Sequence, residues 1–419
     1  MYTIGYRYDW SMHKPYETGS LSVDIQPKNG QVFLNQVELK KNTLDKKIKL
    51  KNVEQGKYLL SIKTEGYYDW QKEIEIKSKQ TVYIKEINLI KKNLPELLID
   101  KEIISFSLSS DNQFLIYQAK NNQQTEIWLL DQEQQKENLL FKSTSTYSML
   151  AEWAPKYNCA TINLSEKKIK PTLLCIDKTP ELASLPISTG TLQKTQWKQG
   201  TQPELFYSTE QGIFSFIPAT GNTKKISGNQ FVDWYMEDNR LWVMEYNTTS
   251  KKIEVIKDRL GFSSKFTEIT LKEKELDENQ TNYQLLICKD DNVLIKKNES
   301  EMTIINNQRT HNLNGENLLI SPHNDWWLIW SPWELWTYIE NELPELQNRS
   351  GAGLGQVAPL DEYNALALAW NDKVTVLYPY YLVTHNLLDT GARQVATDSK
   401  NRKLYHTPYN KKGLWVLNY

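Results

Sequence analysis

The side chains that most often bind metals or transfer protons are few in this sequence and widely spaced. Its histidines show none of the HxH, HxxxH or HExxH spacings that bring two imidazoles onto one metal ion. They are His13, His311, His323, His385 and His406. The acidic pairs Asp290–Asp291 and Asp361–Glu362 fall in expected hairpin turns and lack the alternating acids and glycine of a calcium loop. The sequence therefore predicts no metal site and no cofactor.

No motif for a catalytic nucleophile or a nucleotide is present either. GxSxG, P-loop and dinucleotide fingerprints are absent. The glycine-rich stretch Gly351–Gly355 precedes an expected strand, whereas a phosphate cradle needs a helix to follow. Cys159, Cys175 and Cys288 have no CxxC spacing, so we interpret them as buried, inert thiols; a Cys159–Cys175 bridge between neighbouring strands is the alternative in an oxidising compartment. No catalytic residue is predicted.

A tryptophan-rich segment, Asp325–Trp336, is the strongest candidate for binding a partner. Exposed aromatic rings stack on sugars or anchor protein partners. Trp327 abuts an expected turn and Trp333 follows Pro332 in an expected hairpin, so we predict exposed, partner-binding rings at Trp327 and Trp333. The other tryptophans of the segment are assigned to packing between strands: Trp326, Trp330 and Trp336.

Composition indicates which elements position these residues. A chain of 419 residues needs two or more hydrophobic cores, and its 14 Trp and 23 Tyr favour strands over helices. The net charge of -1 argues against a nucleic-acid-binding surface. No run of about 18 apolar residues is present, so no segment of this sequence is expected to span a membrane.

Short alternating runs between residues 19 and 90 predict a compact β-sandwich. The strand candidates are Leu21–Ile25, Val32–Leu34, Lys47–Leu50, Tyr58–Ile62 and Glu73–Ile76. This part of the sequence resembles the PEGA domain, which is named for a Pro-Glu-Gly-Ala turn. The matching features are the turn Pro27–Gly30 followed by Gln31–Asn35, Thr43–Leu44 in place of the family's Thr-Pro, the segment Gln55–Tyr58, and the family's Gly-Tyr pair at Gly66–Tyr67. The resemblance implies a non-catalytic, extracytoplasmic β module.

After residue 93 one pattern recurs: strand, tight polar turn, strand, then an aromatic strand. The turns centre on Asp111, Lys156, Gln199, Asp238, Asp290, Asn324, Asp361 and Asp398. Their spacing of 34 to 52 residues, with four strands per unit, is typical of propeller blades. We therefore expect an all-β protein, a small PEGA-like β-sandwich followed by a β-propeller of about eight four-stranded blades, with seven as the nearest alternative. The turn Ser321–Asp325 resembles the Ser-Pro-Asp-Gly turn of TolB-like and WD40-like bacterial propellers.

The order of the two parts resembles membrane-anchored PEGA–propeller proteins of bacteria. In those proteins a single helix precedes a Gly-Tyr-Arg-like segment, which Gly5–Asp9 matches here. The resemblance implies an extracytoplasmic protein that a preceding helix anchors to the cytoplasmic membrane. We expect residues 1–18 to be a juxtamembrane flank, 19–92 the PEGA-like domain and 93–419 the propeller.

The leading hypothesis is a non-catalytic binding or scaffold protein of the cell envelope whose propeller face holds an envelope protein or a cell-wall glycan. The alternative is a propeller-fold hydrolase or lyase acting on envelope glycans, with acids converging from the first strands. First strands such as Ser105–Leu108 and Leu285–Ile287 are poor in acids and histidine, which favours binding. A sensor input domain has no support from any residue.

The last repeat contains only three strand candidates before the sequence stops. An incomplete blade exposes an unpaired sheet edge. Residues Leu94–Asp100 have strand character and are surplus to the first blade. We therefore predict that this segment supplies the outer strand of the last blade.

Overall fold

Extended strands joined by short turns make up almost all of the structure, which is a computed structural model. It describes residues 6–9, 13–39, 47–145, 147–164, 172–176, 180–187, 191–198, 200, 202–237, 240–247, 249–250, 252–259, 262–270, 283–290, 292–306, 309–321, 326–340, 342–351, 353–361 and 365–419. None of these residues belongs to a helix long and apolar enough to cross a membrane. The chain divides into unit 1, Met1–Ile99 with Gly355–Tyr419, and unit 2, Asp100–Leu354.

The N-terminal part of unit 1 is a module of two four-stranded sheets. Its strands are β1 (Tyr6–Asp9), β2 (Lys14–Gln26), β3 (Gln31–Leu34), β4 (Val37–Glu38), β5 (Ile48–Glu54), β6 (Gly56–Lys63), β7 (Trp70–Ile76) and β8 (Thr81–Asn88). One sheet has the order β1-β2-β5, with β8 paired parallel to β2, and the other has the order β4-β3-β6-β7. The turn between β2 and β3 is closed by the Gly30 N–H, which donates to the Pro27 carbonyl at 3.1 Å. Each strand candidate of the module overlaps one of these strands.

Strand β9 (Glu96–Ile99) follows the module, and unit 2 then contains six four-stranded antiparallel sheets, blades 1 to 6. Blade 1 comprises β10 (Glu102–Leu108), β11 (Phe114–Asn121), β12 (Gln124–Asp131) and β13 (Lys136–Ser143). Blade 2 comprises β14 (Met149–Trp153), β15 (Cys159–Leu164), β16 (Thr172–Cys175) and β17 (Glu181–Ser184). Blade 3 comprises β18 (Lys194–Trp197), β19 (Leu205–Thr209), β20 (Gly212–Ile217) and β21 (Asn222–Ser227).

The other three blades of unit 2 repeat the same order. Blade 4 comprises β22 (Asp233–Glu237), β23 (Arg240–Asn247), β24 (Lys252–Arg259) and β25 (Phe262–Thr270). Blade 5 comprises β26 (Gln284–Lys289), β27 (Asn292–Lys296), β28 (Glu301–Asn306) and β29 (Arg309–Asn314). Blade 6 comprises β30 (Asn317–Ile320), β31 (Trp326–Trp330), β32 (Glu334–Ile339) and β33 (Glu345–Arg349).

The hydrophobic core of unit 2 lies between successive blades. Trp234 and Val243 of blade 4 pack with Phe206 of blade 3, and Trp242 on the same strand as Val243 packs with Tyr283 before blade 5. Inner strands are therefore covered on both faces, which explains their nearly continuous apolar runs.

Unit 1 ends with two more blades. Blade 7 comprises β34 (Leu354–Pro359), β35 (Leu366–Trp370), β36 (Val374–Tyr378) and β37 (Val383–Leu388), with a short 3-10 turn at Pro379–Tyr381. Blade 8 comprises β38 (Ala392–Asp398), β39 (Lys403–Pro408), β40 (Leu414–Asn418) and, as its fourth strand, β9. Trp415 pairs with Leu97 and Val416 with Glu96. The predicted completion of the last blade by the segment after the module is confirmed.

The module and blades 7 and 8 share one hydrophobic cluster within unit 1, which contains Leu60 and Trp70 of the module together with Val376 of blade 7 and Leu404 of blade 8. Polar contacts reinforce it at Tyr381, whose hydroxyl accepts the Lys85 N–H at 2.8 Å and donates to the Lys85 carbonyl at 2.9 Å. Arg402 donates to the Leu89 carbonyl at 2.8 Å. Unit 1 is therefore one packed body built from both ends of the chain.

The expected fold class, an all-β chain with a small β module and about eight four-stranded blades, is confirmed among the described residues. The domain boundaries at residues 18 and 92 stay predictions. Some expectations concern residues that the structure does not describe. These are Thr43–Leu44, the turn residues Pro322–Asp325, and residues 1–5 at the start of the flank.

One expectation about the cysteines is wrong. Cys159 and Cys175 are opposite each other on β15 and β16 and form a disulfide, so they are not inert thiols, and the alternative, a bridge between neighbouring strands, is the one found. Cys288 is a buried free cysteine, as expected. The pairing register of two neighbouring strands, which linear spacing does not reveal, brings the two sulfur atoms together.

Candidate functional site

Trp333 lies in the turn between β31 and β32 with its ring in solvent. Its side chain is 56% exposed. The turn is held in place because the Ser331 hydroxyl accepts the N–H groups of Trp333 and Glu334 at 3.3 and 3.1 Å. The Trp333 carbonyl accepts the Ser350 N–H at 2.9 Å. Glu334 receives two hydrogen bonds from Arg349, at 3.0 and 2.7 Å. Trp333 is thus an exposed aromatic ring on a fixed backbone.

Trp327 has the opposite environment, so the expectation that its ring is exposed is wrong. Only 2% of it is exposed, and its ring centroid lies 4.9 Å from that of Tyr338, its cross-strand partner. It packs in the cluster between blades 5 and 6 with Ile304 and Ile329. Because β31 begins at Trp326, Trp327 already belongs to the blade and faces its neighbour.

A cavity of about 970 Å³ in unit 2 is the second candidate. It follows the first strands of blades 2 to 5, β14, β18, β22 and β26, and reaches Ile320 in blade 6. The charged side chains in its wall are four acids, Glu152, Asp233, Glu237 and Asp290, and three bases, Lys194, Arg240 and Lys289. Its volume is that of a small-molecule or side-chain pocket.

Lys194, in the wall of this cavity, connects three successive blades. Its ammonium group donates to both carboxylate oxygens of Asp233, at 3.0 and 2.9 Å. It also donates to the carbonyls of Trp234, at 2.7 Å, and Leu285, at 2.9 Å. Asp233 in turn accepts the Leu285 N–H at 2.7 Å. The three hydrogens of the ammonium group are therefore committed to groups of the protein itself.

Glu152 lies on β14, opposite β18. Its carboxylate accepts the Thr195 hydroxyl at 3.1 Å, and its backbone carbonyl accepts the Trp197 indole N–H at 3.0 Å. Burial raises the pKa of the Glu152 carboxyl group, while Thr195, Lys194 and Trp197 oppose that effect. A raised pKa means that the charged carboxylate lacks full compensation in the folded chain.

Further hydrogen bonds fix the wall between blades 3, 4 and 5. The Gln196 amide donates to the Met236 carbonyl at 2.8 Å and accepts the Met236 N–H at 2.9 Å. Glu237 accepts the Trp242 indole N–H at 3.0 Å and the Asp290 N–H at 2.9 Å. These hydrogen bonds tie the first strands of the three blades to one another along the cavity wall.

The expectation that the first strands are poor in acids holds for the segments Ser105–Leu108 and Leu285–Ile287, on which it was based, but is wrong for β14 and β22. Glu152 lies on β14, and Asp233 and Glu237 lie on β22. A signal was available: Lys194, Asp233 and Leu285 each stand five residues before a repeated turn centre. Aligning the repeats on their turns would have placed these three residues side by side.

The other residue types singled out from the sequence do not assemble into a site. His385 stacks on Tyr68 with ring centroids 5.0 Å apart, and His406 is buried on β39. Burial lowers the pKa of each of these imidazoles to about 4. No group of three or more His, Cys, Asp or Glu able to hold a metal ion occurs among the described residues.

Comparisons with known proteins agree with this architecture in two separate parts. Residues 18–91 match the PEGA domain. The C-terminal WD40 domain of Sif2 is similar in structure, with a TM-score of 0.50 at 12% identity, over 77% of this chain and 98% of that domain. This similarity shows the propeller fold alone.

Two further solved structures resemble the chain more weakly. Saccharomyces cerevisiae Sqt1 has a TM-score of 0.49 at 9% identity, over 78% of this chain and 98% of its own. Kuenenia stuttgartiensis hydrazine synthase has a TM-score of 0.42 at 9% identity, over 77% of this chain and 96% of its own. The sequence matches none of the curated proteins with which it was compared.

Proposed function

We propose that this protein is a non-catalytic binding protein of the cell envelope, which holds an envelope protein or a cell-wall glycan at the propeller face that carries Trp333. The observation that supports a binding role is the exposure of a large aromatic ring on a hydrogen-bonded turn. Such rings dominate binding energy at interfaces because they bury much apolar area at little cost in conformational entropy.

Trp333→Ala tests the proposal. Capture of a partner from envelope extract by the immobilised chain should fall at least about tenfold, as expected when a central aromatic anchor is removed. Leu343→Ala is the matched control, since Leu343 is also exposed on blade 6 but lies beyond the opposite end of β32. Parallel assays on purified cell-wall glycan and on the protein fraction distinguish the two kinds of partner. Equal capture by the two variants contradicts a role for Trp333.

We further propose an extracytoplasmic location, with the chain anchored to the cytoplasmic membrane by a helix that precedes this sequence. The Cys159–Cys175 disulfide supports the location, because disulfides persist in oxidising compartments and are rare in the cytosol. The PEGA match at residues 18–91 is compatible with it. Alkylation in denaturant of protein from acid-quenched cells should leave Cys159 and Cys175 unmodified unless a reductant is added first. Free thiols at both positions in the native protein would argue for a reducing compartment.

One observation favours a second function, a propeller-fold hydrolase or lyase acting on envelope glycans. Glu152 and Asp233 line the same cavity, and the raised pKa of Glu152 suits a general acid. Turnover of peptidoglycan fragments by the purified chain, abolished by Glu152→Gln, would establish this function. Absence of turnover at every pH tested leaves binding as the function of the cavity.

A further inference from the structure

The bases that line the unit 2 cavity are already neutralised. Lys194 is saturated by Asp233 and two carbonyls. Arg240 lies 3.4 Å from Glu237 and 4.0 Å from Asp290, and Lys289 lies 3.0 Å from Glu340, which is not part of the cavity wall. An anionic ligand would therefore have to displace an internal ion pair before it could bind.

Two acidic side chains of the cavity wall, Glu152 and Asp290, are less fully paired than the bases. Glu152 forms no ion pair with any described residue, and its carboxylate accepts a hydrogen bond from the neutral hydroxyl of Thr195. Asp290 is largely exposed, and among the described residues its carboxylate pairs with Arg240 alone, at 4.0 Å. Because the desolvated carboxylate of Glu152 is undercompensated, a ligand cation beside it would gain a strong, poorly screened interaction.

The rest of the wall suits the remainder of such a ligand. Phe231, Val232, Leu286 and Ile320 provide apolar surface. The Ser208 hydroxyl, on a residue that is 1% exposed, lies in the same wall and has no hydrogen-bond partner among the described residues. A buried polar group without a partner is unusual in a folded protein and indicates room for a ligand atom or an ordered water.

We infer that this cavity binds an aliphatic primary amine, whose ammonium group pairs with Glu152 and whose hydrocarbon stem lies along the apolar wall. A lysine side chain of a bound peptide and a free diamine present the same chemistry. The inference is independent of Trp333, which lies at the turn between β31 and β32 and is not part of this cavity.

The experiment titrates the full chain at pH 7.5 with four probes and follows binding by ligand-observed NMR and calorimetry. The probes are cadaverine, the peptide acetyl-Gly-Lys-Gly-amide, neutral 1-pentanol and anionic pentanoate. The amines should bind, and 1-pentanol and pentanoate should not. Binding of cadaverine alone identifies a free amine as the ligand, and binding of the peptide alone identifies a lysine side chain.

Glu152→Gln should weaken amine binding at least about tenfold, because it keeps the shape of the side chain and removes its charge. Glu133→Gln is the control, since Glu133 is an exposed acid in the turn between β12 and β13 of blade 1. Failure of both amines to bind the unmodified chain overturns the inference. Equal amine affinity of Glu152→Gln and the unmodified chain also overturns it.

Titration of the unmodified chain between pH 7.5 and 4.5 decides the matter if Glu152→Gln does not fold. Affinity should fall on acidification, because protonation removes the carboxylate charge and the pKa of Glu152 is raised. The other charged groups that line the cavity are Lys194, Asp233, Glu237, Arg240, Lys289 and Asp290. Amine affinity that is unchanged over this range contradicts pairing with Glu152.

Discussion

At the scale of single residues, blade 6 places two tryptophans of one short segment in opposite environments. Trp327 lies in β31 and faces the neighbouring blade, whereas Trp333 lies in the following turn, outside the alternation of the strands. The first ring therefore stabilises the fold, and the second is available to a partner.

Alanine substitutions should separate these two roles. Trp327→Ala should lower the free energy of unfolding by about 3–5 kcal/mol, because it removes a large side chain from a packed core. Trp333→Ala should change it by no more than about 0.5 kcal/mol, since the ring has few contacts to lose. Chemical denaturation of both variants measures the difference. A large loss of stability in Trp333→Ala would mean that its ring packs against the protein.

His406 makes the stability of unit 1 depend on pH. It is 2% exposed, and burial, aided by the charge of Lys411, lowers its pKa to about 4 from 6.5. On acidification, the imidazole of His406 is therefore protonated at a higher pH in the unfolded chain than in the folded chain. The contribution of His406 to the free energy of unfolding is therefore fully present above about pH 6.5. It decreases as the pH falls towards 4, by about 3 kcal/mol in total.

His406→Phe should remove this part of the pH dependence. The difference in unfolding free energy between pH 7 and pH 4.5 should shrink relative to the unmodified chain, as measured by denaturant titration at each pH. His13→Gln is the control, because His13 is exposed. His385, whose pKa is also lowered to about 4, retains its own contribution in both variants. An unchanged pH profile in His406→Phe would show that its imidazole is protonated at no cost.

At the scale of elements, β9 completes blade 8 from the opposite end of the chain. The approach of β9 to β40 is close at Gly413, which has φ +105°. A Cβ atom there would lie 2.5 Å from Leu97 Cδ1 and 2.8 Å from the Ile99 carbonyl oxygen. Glycine is required because a side chain would both strain the backbone and push β9 away.

Gly413→Ala should therefore lower the free energy of unfolding by about 1–3 kcal/mol and increase hydrogen exchange at residues 96–99. Gly228→Ala is the matched control, since a Cβ atom at Gly228 meets no atom within 4 Å. Exchange mass spectrometry of both variants supplies the measurement. Full protection of residues 96–99 in Gly413→Ala would mean that the contact with β40 tolerates a methyl group.

At the scale of the whole molecule, unit 1 joins sequence segments about 300 residues apart. The PEGA-like module contributes Leu60 and Trp70 to the hydrophobic cluster that also holds Val376 and Leu404. The module is therefore an integral part of the core on which blades 7 and 8 rest.

Removal of residues 1–92 should destabilise blades 7 and 8. Deletion exposes the apolar side chains that the module covers, so hydrogen exchange at residues 366–388 should rise by at least about tenfold. Blades 2 to 5 of unit 2 serve as the internal reference within the same sample. Unchanged exchange at residues 366–388 would mean that the last blades are stable without the module.

Local patterns in the sequence determined the β class, the repeated turns, the four-stranded unit and the strand β9 that completes blade 8. These follow from alternation, turn residues and the need to satisfy a sheet edge, all of which act over short distances or along one repeat. The tertiary structure decided which tryptophan is buried and whether Cys159 meets Cys175. It also decided that Glu152, Lys194 and Asp233 line one cavity. These outcomes depend on pairing register and on contacts between blades about 40 residues apart, where no local signal fixes which side chains meet.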